Sequence, residues 1–306
     1  MANFAFSLRQ IHYFVAVAET GQMRAAAQRV HLSEAALSSA ISDLESELGV
    51  QLVLRKKSRG AKLTPLGESM LAEAREILLR AERFQERARG EGHSLTGRLP
   101  IGIYTTLAPF LLPAILEQFS RAQPNVILDV QEGSLPELQS ALRNGSCEVA
   151  LLYDVDIARD MMTQPLFAIA PSVLLGKDHP LAKKPNLRLA HMGNEPMILL
   201  DVPPSRQRVE KILRLSGIAP PIRYRSPNFE LVRALVGRGE GFAIMYQLPV
   251  SNLTYDGHEL VARRLDLSKH AVSVVLCASK DYKPTARARA FNTFCQQSIS
   301  SPPASR

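Results

Sequence analysis

Apolar residues recur at helical spacing from the start of the chain. Leu8, Ile11, Phe14, Val15 and Ala18 fall on one stripe, and Ala25, Ala26, Ala27 and Val30 continue beyond Gly21, which predicts two helices parted at that glycine. His31-Leu32-Ser33 makes a short break. Ser33 is then suited to cap a third helix whose buried stripe is Ala36, Leu37, Ile41, Leu44 and Leu48, closed by Gly49. Helix, tight turn and helix is the layout that sets a second helix into the DNA major groove, and it is equally that of an ordinary helical hairpin. The apolar run at 50–54 and the segment RKKSRGAKL after it predict a strand-loop-strand wing with Gly60 at its tip.

Thr64-Pro65 opens a further helix, since proline suits the first helical turn. Met70, Ala74, Ile77, Ala81, Phe84 and Ala88 then recur at alternating intervals of 4 and 3, the seam of a coiled coil. The same positions on a lone amphipathic helix would cover the chain's own core, with Leu71 and Leu78 beside them. A hinge is expected over 88–97, ARGEGHSLTG. Strands and helices alternate beyond it: LPIGIY, a helix over 107–122, VILDVQ, a helix over 136–144, and EVALLY. After 155–165 a second series runs FAIAPSVLLG, MILLD, a helix over 206–215, IRYRS, the helix FELVRALVG, and FAIMYQ. AVSVVLCAS and a closing helix over 285–295 return to the first series. Such alternation predicts mainly parallel sheets covered on both faces.

Charge sharpens the picture of the N-terminal part. The chain carries 37 Lys and Arg against 29 Asp and Glu, a formal charge of +8, which fits a polyanionic partner. Arg55, Lys56, Lys57, Arg59 and Lys62 stand in the wing with no acid among them. Such a run is commonly a solvated face, but directly after a helix-turn-helix it is better explained as a phosphate clamp. The third helix, by contrast, contains no Arg or Lys.

The segment from Ser7 to Leu71 resembles the N-terminal winged helix-turn-helix of the LysR-type transcriptional regulators, through RAAAQRVHLS, ALS, ISDLESELGVQL and LTPLGE at the family's spacing. Four places depart from the family's habit. Glu34-Ala35 replaces Gln-Pro, and Ser39 and Ala40 stand where a basic or amide residue is frequent. Gln22-Met23 replaces Ser-Phe, and Val53-Leu54-Arg55 replaces Phe-Glu-Arg. The resemblance implies an α/β protein with an N-terminal all-α winged helix-turn-helix, joined by a long linker helix to a two-lobed, Rossmann-like effector domain similar to periplasmic binding proteins. The expected divisions are 1–64, 65–93 and 94–306, with one lobe at about 97–160 and 271–298 and the other at about 161–270.

This organisation selects candidate residues. Arg24 and Arg29, with Lys56, Lys57 and Arg59 on the wing, are expected on phosphates. Ser33, Glu34, Ser38, Ser39 and Ser42 form the polar face that would meet bases, where hydroxyls accept several partners and a carboxylate accepts from cytosine N4. Glu34 also suits a helix N-terminus for its dipole alone. The seam residues imply a dimer, hence two reading helices and an interrupted palindrome in promoter DNA; a tetramer rests on the resemblance. Ligands of open α/β folds sit at the carboxyl ends of strands, which selects Thr105, Thr106, Gly133 and Ser134 in one lobe and Asp201, Pro204, Ser205 and Ser226 in the other. Ser134-Leu135-Pro136-Glu137 reads as a capping box. Helix N-termini converging there favour an anion, most simply a carboxylate, although Ser and Thr at such places also serve as plain N-caps. RNA polymerase is a further possible partner.

Other chemistry finds little support. No Walker lysine, G-x-S-x-G or H-E-x-x-H appears, and Gly237-Arg238-Gly239-Glu240-Gly241 ends a helix rather than opening one, so it reads as a turn. The seven histidines form no pair at metal spacing, so neither catalysis, metal nor cofactor is expected. Cys147, Cys277 and Cys295 lie far apart, which fits a reducing cytoplasm. Cys147, after Asn144-Gly145-Ser146, is expected near the surface, and a thiol redox sensor is the second reading. A ligand-binding protein without a DNA role is the third, which the basic wing opposes. The start MANFAFSLRQ lacks a signal-peptide layout, and Pro100, Pro109 and Pro113 break the most apolar stretch, so export and membrane spanning are not expected. The closing SISSPPASR gives no functional clue.

Overall fold

The computed structural model describes residues 6–56, 60–89, 95–265 and 267–299, and the side chains of all these except 55, 56, 83 and 86–89. The chain divides into two compact units: Met1–Leu95 with Ser140–Cys147 and Lys283–Ala286, and the remainder.

In the N-terminal unit Ser7 caps α1 (Leu8–Thr20) reciprocally with Gln10, and Gly21 ends the helix at φ 64°, a left-handed conformation that costs glycine nothing. α2 (Met23–Arg29) and α3 (Glu34–Leu48) follow. The Ser33 hydroxyl accepts the Ala36 N–H at 3.1 Å, as the cap assignment requires. Leu37, Ile41 and Leu44 of α3 are buried against Phe14, Val17, Ala26 and Ala27. Ala36, expected on that stripe, is exposed instead, because it lies a residue outside the arc that Leu37, Ile41 and Leu44 define. The wing is the antiparallel pair β1 (Val53–Lys56) and β2 (Gly60–Leu63), with Lys56 opposite Gly60. Gly60 therefore opens the return strand rather than forming the tip. A Cβ there would come within 2.6 Å of the Gly21 carbonyl, which accepts the Ala61 N–H, so the wing root can close on α1 only at a glycine.

Two further contacts fix the wing to the helices. The Glu45 carboxylate accepts the N–H groups of Leu52 and Val53 at 2.8 and 2.9 Å, ordering the turn into β1. The Thr64 hydroxyl accepts the Gly67 N–H at the start of α4 (Pro65–Arg89). A Cβ on Gly67 would stand 2.2 Å from the Leu52 carbonyl oxygen, so helix and wing approach closely there too.

The second unit contains β3 (Gly97–Tyr104), α5 (Ala108–Ala122), β4 (Val126–Gly133), α6 (Leu135–Arg143), β5 (Val149–Tyr153), β6 (Met161–Ile169), β7 (Ser172–Gly176) and β8 (Met197–Leu200). It continues with α7 (Ser205–Leu215), β9 (Ile222–Ser226), α8 (Phe229–Gly237), β10 (Ala243–Met245), β11 (Leu260–Arg263), β12 (Val272–Ser279) and α9 (Ala286–Ser298). The first lobe is a five-stranded sheet in the order β4-β3-β5-β12-β6. Its β3, β4 and β5 are parallel, whereas β12 runs antiparallel to both neighbours, so the sheet is mixed rather than wholly parallel.

The lobe boundary differs from the expected one. The expected second lobe begins at about 161, but β6 pairs with β12 in the first sheet along its whole length. FAIAPSVLLG is thus two strands, split at Ala170-Pro171, where proline lacks the N–H a ladder needs. The second lobe joins antiparallel β10-β7-β11 to parallel β8-β9. The link is made by Ile198 N–H to Phe242 O and Phe242 N–H to Pro196 O, at 2.8 and 2.9 Å. Leu174, Ile198, Val232, Val236 and Met245 form its core. β11 has no counterpart in the sequence reading.

Candidate DNA-reading face and effector cleft

On α3 the exposed polar side chains are Glu34, Ser39 and Ser42, with Ser38 half-buried. The Ser42 hydroxyl donates back to the Ser38 carbonyl at 3.1 Å, and Ser33 is engaged as the cap, so the reading face is partly occupied by the helix's own backbone. Arg24 is exposed and enters no ion pair among the described residues. Arg29, expected on a phosphate, is engaged within the unit. Its guanidinium lies 2.7 Å from Glu19, which Arg75 also approaches at 3.3 Å, so this arginine ties α2 to α1. Lys57 and Arg59, and the Lys56 side chain, lie outside the described residues.

The proposed seam of α4 divides. Ala74 is buried in the unit's own core and Met70 packs against that core with Leu71 and Leu78. Ile77 and Phe84 remain exposed, Phe84 by 75%. The first turns of the helix cover the helix-turn-helix, and apolar side chains farther along face away from it. The Ala88 side chain lies outside the described residues.

Between the two lobes, Thr106, Tyr153, Ser205, Phe229, Tyr246 and Gln247 line a narrow cavity with a free volume of about 10 Å³, room for one water. Tyr104 and Tyr153 meet edge to face with ring centres 5.4 Å apart, and the Tyr104 hydroxyl donates to the Pro203 carbonyl. The Tyr153 hydroxyl lies 3.3 Å from Thr106 Oγ1. Burial pushes the Tyr153 phenol up to about 12 and raises Tyr104 and Tyr246 as well, so all three are neutral hydrogen-bonding groups. Gln247 is 4% exposed, and its Nε2, although it interacts with the neighbouring Tyr153 hydroxyl, makes no hydrogen bond of good geometry. A buried unpaired donor costs about 1–3 kcal/mol, so this amide stands ready for an acceptor.

Of the eight residues expected at the cleft, Thr106 and Ser205 line the cavity. The others make contacts within the fold. Thr105 donates to the Gly133 carbonyl at 3.2 Å. The Glu137 carboxylate accepts from the Ser134 N–H and hydroxyl, both at 2.7 Å, which supports the capping assignment and holds that carboxyl below its usual range. Asp201 pairs with Arg206 at 2.8 Å, and the buried Ser226 hydroxyl accepts the Asn228 N–H. Pro204 is buried at the start of α7. Sequence reasoning missed Tyr153, Tyr246 and Gln247, although Tyr153 ends β5 and Tyr246-Gln247 follow β10, where the rule of strand carboxyl ends applies equally.

The cysteines are all buried, Cys147 included, contrary to its expected place near the surface. It follows the turn at Asn144-Gly145-Ser146 but folds inward, its N–H donating to the Ala141 carbonyl. Burial pushes the thiols of Cys277 and Cys295 up to about 12. No cluster of three metal-ligating side chains occurs among the described residues, and no described helix is long and apolar enough to cross a membrane.

Residues 8–68 match the family model for the bacterial regulatory helix-turn-helix protein of the lysR family, and residues 92–300 match the LysR substrate binding domain. The DNA-binding transcriptional dual regulator OxyR of Escherichia coli is 29% identical over 245 residues, 80% of each chain. HinK, a LysR family regulator from Pseudomonas aeruginosa, is 32% identical, covering 96% of this chain and 98% of its own, with a TM-score of 0.65. A full-length OxyR variant from the same organism, with one cysteine replaced by aspartate, is 25% identical over 96% of both chains, with a TM-score of 0.78. The helix-turn-helix, the wing, the long helix and the two lobes together make this chain a member of the LysR family, a DNA-binding transcriptional regulator with an effector-binding domain.

Proposed function

We propose that a homo-oligomer of this chain reads an interrupted palindrome in promoter DNA and is switched by a small carboxylate held between the two lobes. The observation that carries the effector reading is the Gln247 amide, a buried donor that has only a poorly formed contact with the Tyr153 hydroxyl, in a cavity whose other polar groups are neutral hydroxyls. A carboxylate oxygen supplies the acceptor that Gln247 lacks and accepts further from Thr106, Ser205 or Tyr153. The free space admits about one water, so such a ligand enters with the lobes parted and favours a different lobe angle from the closed one. Effector and DNA are then reciprocally coupled.

On the DNA side, Glu34, Ser39 and Ser42 meet bases while Arg24 and the wing residues Lys56, Lys57 and Arg59 meet phosphates. Exposed Ile77 and Phe84 pair the long helices of two copies, and a dimer of such dimers and contact with RNA polymerase in the cytoplasm belong to the same reading. Several relatives are named hydrogen peroxide-inducible genes activators, which favours testing a thiol switch as well. Burial of all three cysteines speaks for the small-molecule reading instead.

The deciding experiment is a footprint on the DNA upstream of the chain's own gene across a salt series. A protected interrupted palindrome with a steep salt slope is the expected result. A uniform, sequence-independent footprint would sink the palindrome reading, and a disulfide found by mass spectrometry after mild peroxide would replace the effector reading with the thiol one.

A further inference from the structure

α7 carries two stripes. Ser205 and Val209 line the interlobe cavity, whereas Arg208, Lys211 and Leu215 line a separate hollow of about 400 Å³ together with Tyr246, Lys269 and His270. Three cations face this hollow. None is in an ion pair among the described residues, while elsewhere in the same lobe Arg206, Arg223, Arg238 and Lys177 each rest on a carboxylate. The Arg208 guanidinium sits 5.9 Å from the centre of the Tyr246 ring, and its Nε donates to the Tyr246 hydroxyl at 3.4 Å. That hydroxyl in turn donates to the His270 carbonyl at 3.3 Å. The hollow is therefore braced by aromatic and backbone contacts rather than by acids.

His270 adds a second, independent sign. Its Nε2 is buried and has no hydrogen-bond partner, so a polar group is left waiting beside the cations. Burial, and then the charges of Lys269, Arg208 and Lys211, hold its imidazole below the usual range, which keeps the ring neutral. Like charges gathered without counter-charge repel, and a bound anion removes that repulsion. One carboxylate would leave two of the three cations uncompensated. The exposed Leu215 and the Tyr246 ring offer an apolar rest for the remainder of a ligand.

We propose that this hollow is a second ligand site, distinct from the interlobe cavity, that takes a small organic anion bearing two or more negative charges. Tyr246 borders both spaces, so the two sites share one wall.

The test is calorimetric titration of the full chain with pyrophosphate, for the wild type, Lys211→Ala/Lys269→Ala, Leu215→Glu and the remote control Lys183→Ala. Saturable binding at one site per chain is expected, weakened tenfold or more by the double variant and by the carboxylate placed at the rim, and unchanged in the control. Lys211, Lys269 and Leu215 are exposed, and equal melting temperatures will verify that the variants fold. Affinity retained in both site variants would place the anion elsewhere, on the wing for instance, and overturn the proposal; so would the absence of saturable binding to the wild type. The titration reads neither DNA nor the cleft effector, so its outcome stands apart from that of the reading above.

Discussion

The outer face of α3 and the wall of the interlobe cavity are both recognition surfaces, yet they are built on opposite terms. The α3 face is convex and wet, and its hydroxyls are partly satisfied by the helix itself, Ser33 on the Ala36 N–H and Ser42 on the Ser38 carbonyl. The cavity wall is enclosed, and it leaves the Gln247 amide without a well-formed hydrogen bond. The first surface can wait for DNA at no cost to stability. The second stores an unfavourable term that only a ligand relieves, so it discriminates by chemistry rather than by shape alone.

The comparison breaks most sharply at the core beneath α3. Leu37 is fully buried, and Leu37→Ala is expected to cost about 2–5 kcal/mol through poorer packing and the cavity left behind. Thermal unfolding should show the loss, with specific DNA binding abolished at growth temperature. Wild-type melting with full binding would mean that α3 is not held as described.

Gln247→Leu sharpens the other side. Removing an unpaired buried donor should leave ligand-free stability unchanged or raised by about 1 kcal/mol, while the effector concentration needed for promoter response rises about tenfold or more. A marked fall in ligand-free melting temperature would show that the amide has a structural partner after all.

Phe84→Glu probes self-association. Placing a charge on a 75% exposed position should not disturb the fold, and analytical ultracentrifugation should show the dimer loosening by about tenfold or more, the scale of withdrawing one apolar side chain from an interface. An unaltered association constant would remove Phe84 from the interface.

Glu34→Gln gives the smallest and most discriminating effect. As a base reader, Glu34 should impose a cytosine preference worth roughly 1–3 kcal/mol at one position of the site, which the variant loses. As a partner of the helix dipole alone, it should cost about 0.3–1 kcal/mol of stability and leave the sequence preference intact. Binding selections on randomised DNA, set beside melting curves, separate the two.

How legible each surface was follows from how local its making is. Ser33, Leu37 and Gly49 announce α3 within a span of seventeen residues, and the helix forms as read. Arg29 reads as a phosphate contact because it stands in a basic region, while its ion pair with Glu19 on the preceding helix comes at a spacing that sequence pattern does not weigh. The cavity is assembled from residues near 106, 153, 205, 229 and 247, and which of them point inward is decided by strand ends in two sheets. Ser and Thr stand out there because they follow strand ends, yet Ser134 donates to Glu137 and Ser226 accepts from Asn228, the residue that caps α8. The strand exchange at Pro171 was visible as a proline in an apolar run, but the sheet that β6 joins depends on β12, more than a hundred residues later.

Gly67 bears on how force moves through the N-terminal unit. With room for no atom between it and the Leu52 carbonyl, the first turn of α4 cannot swivel against the wing root. A helix of 25 residues that is clamped at one end behaves as a lever about 37 Å long, in which a tilt of about 5° at the far end becomes a displacement of about 3 Å. A push on that far end would therefore bear first on the close contact between Gly67 and the wing root.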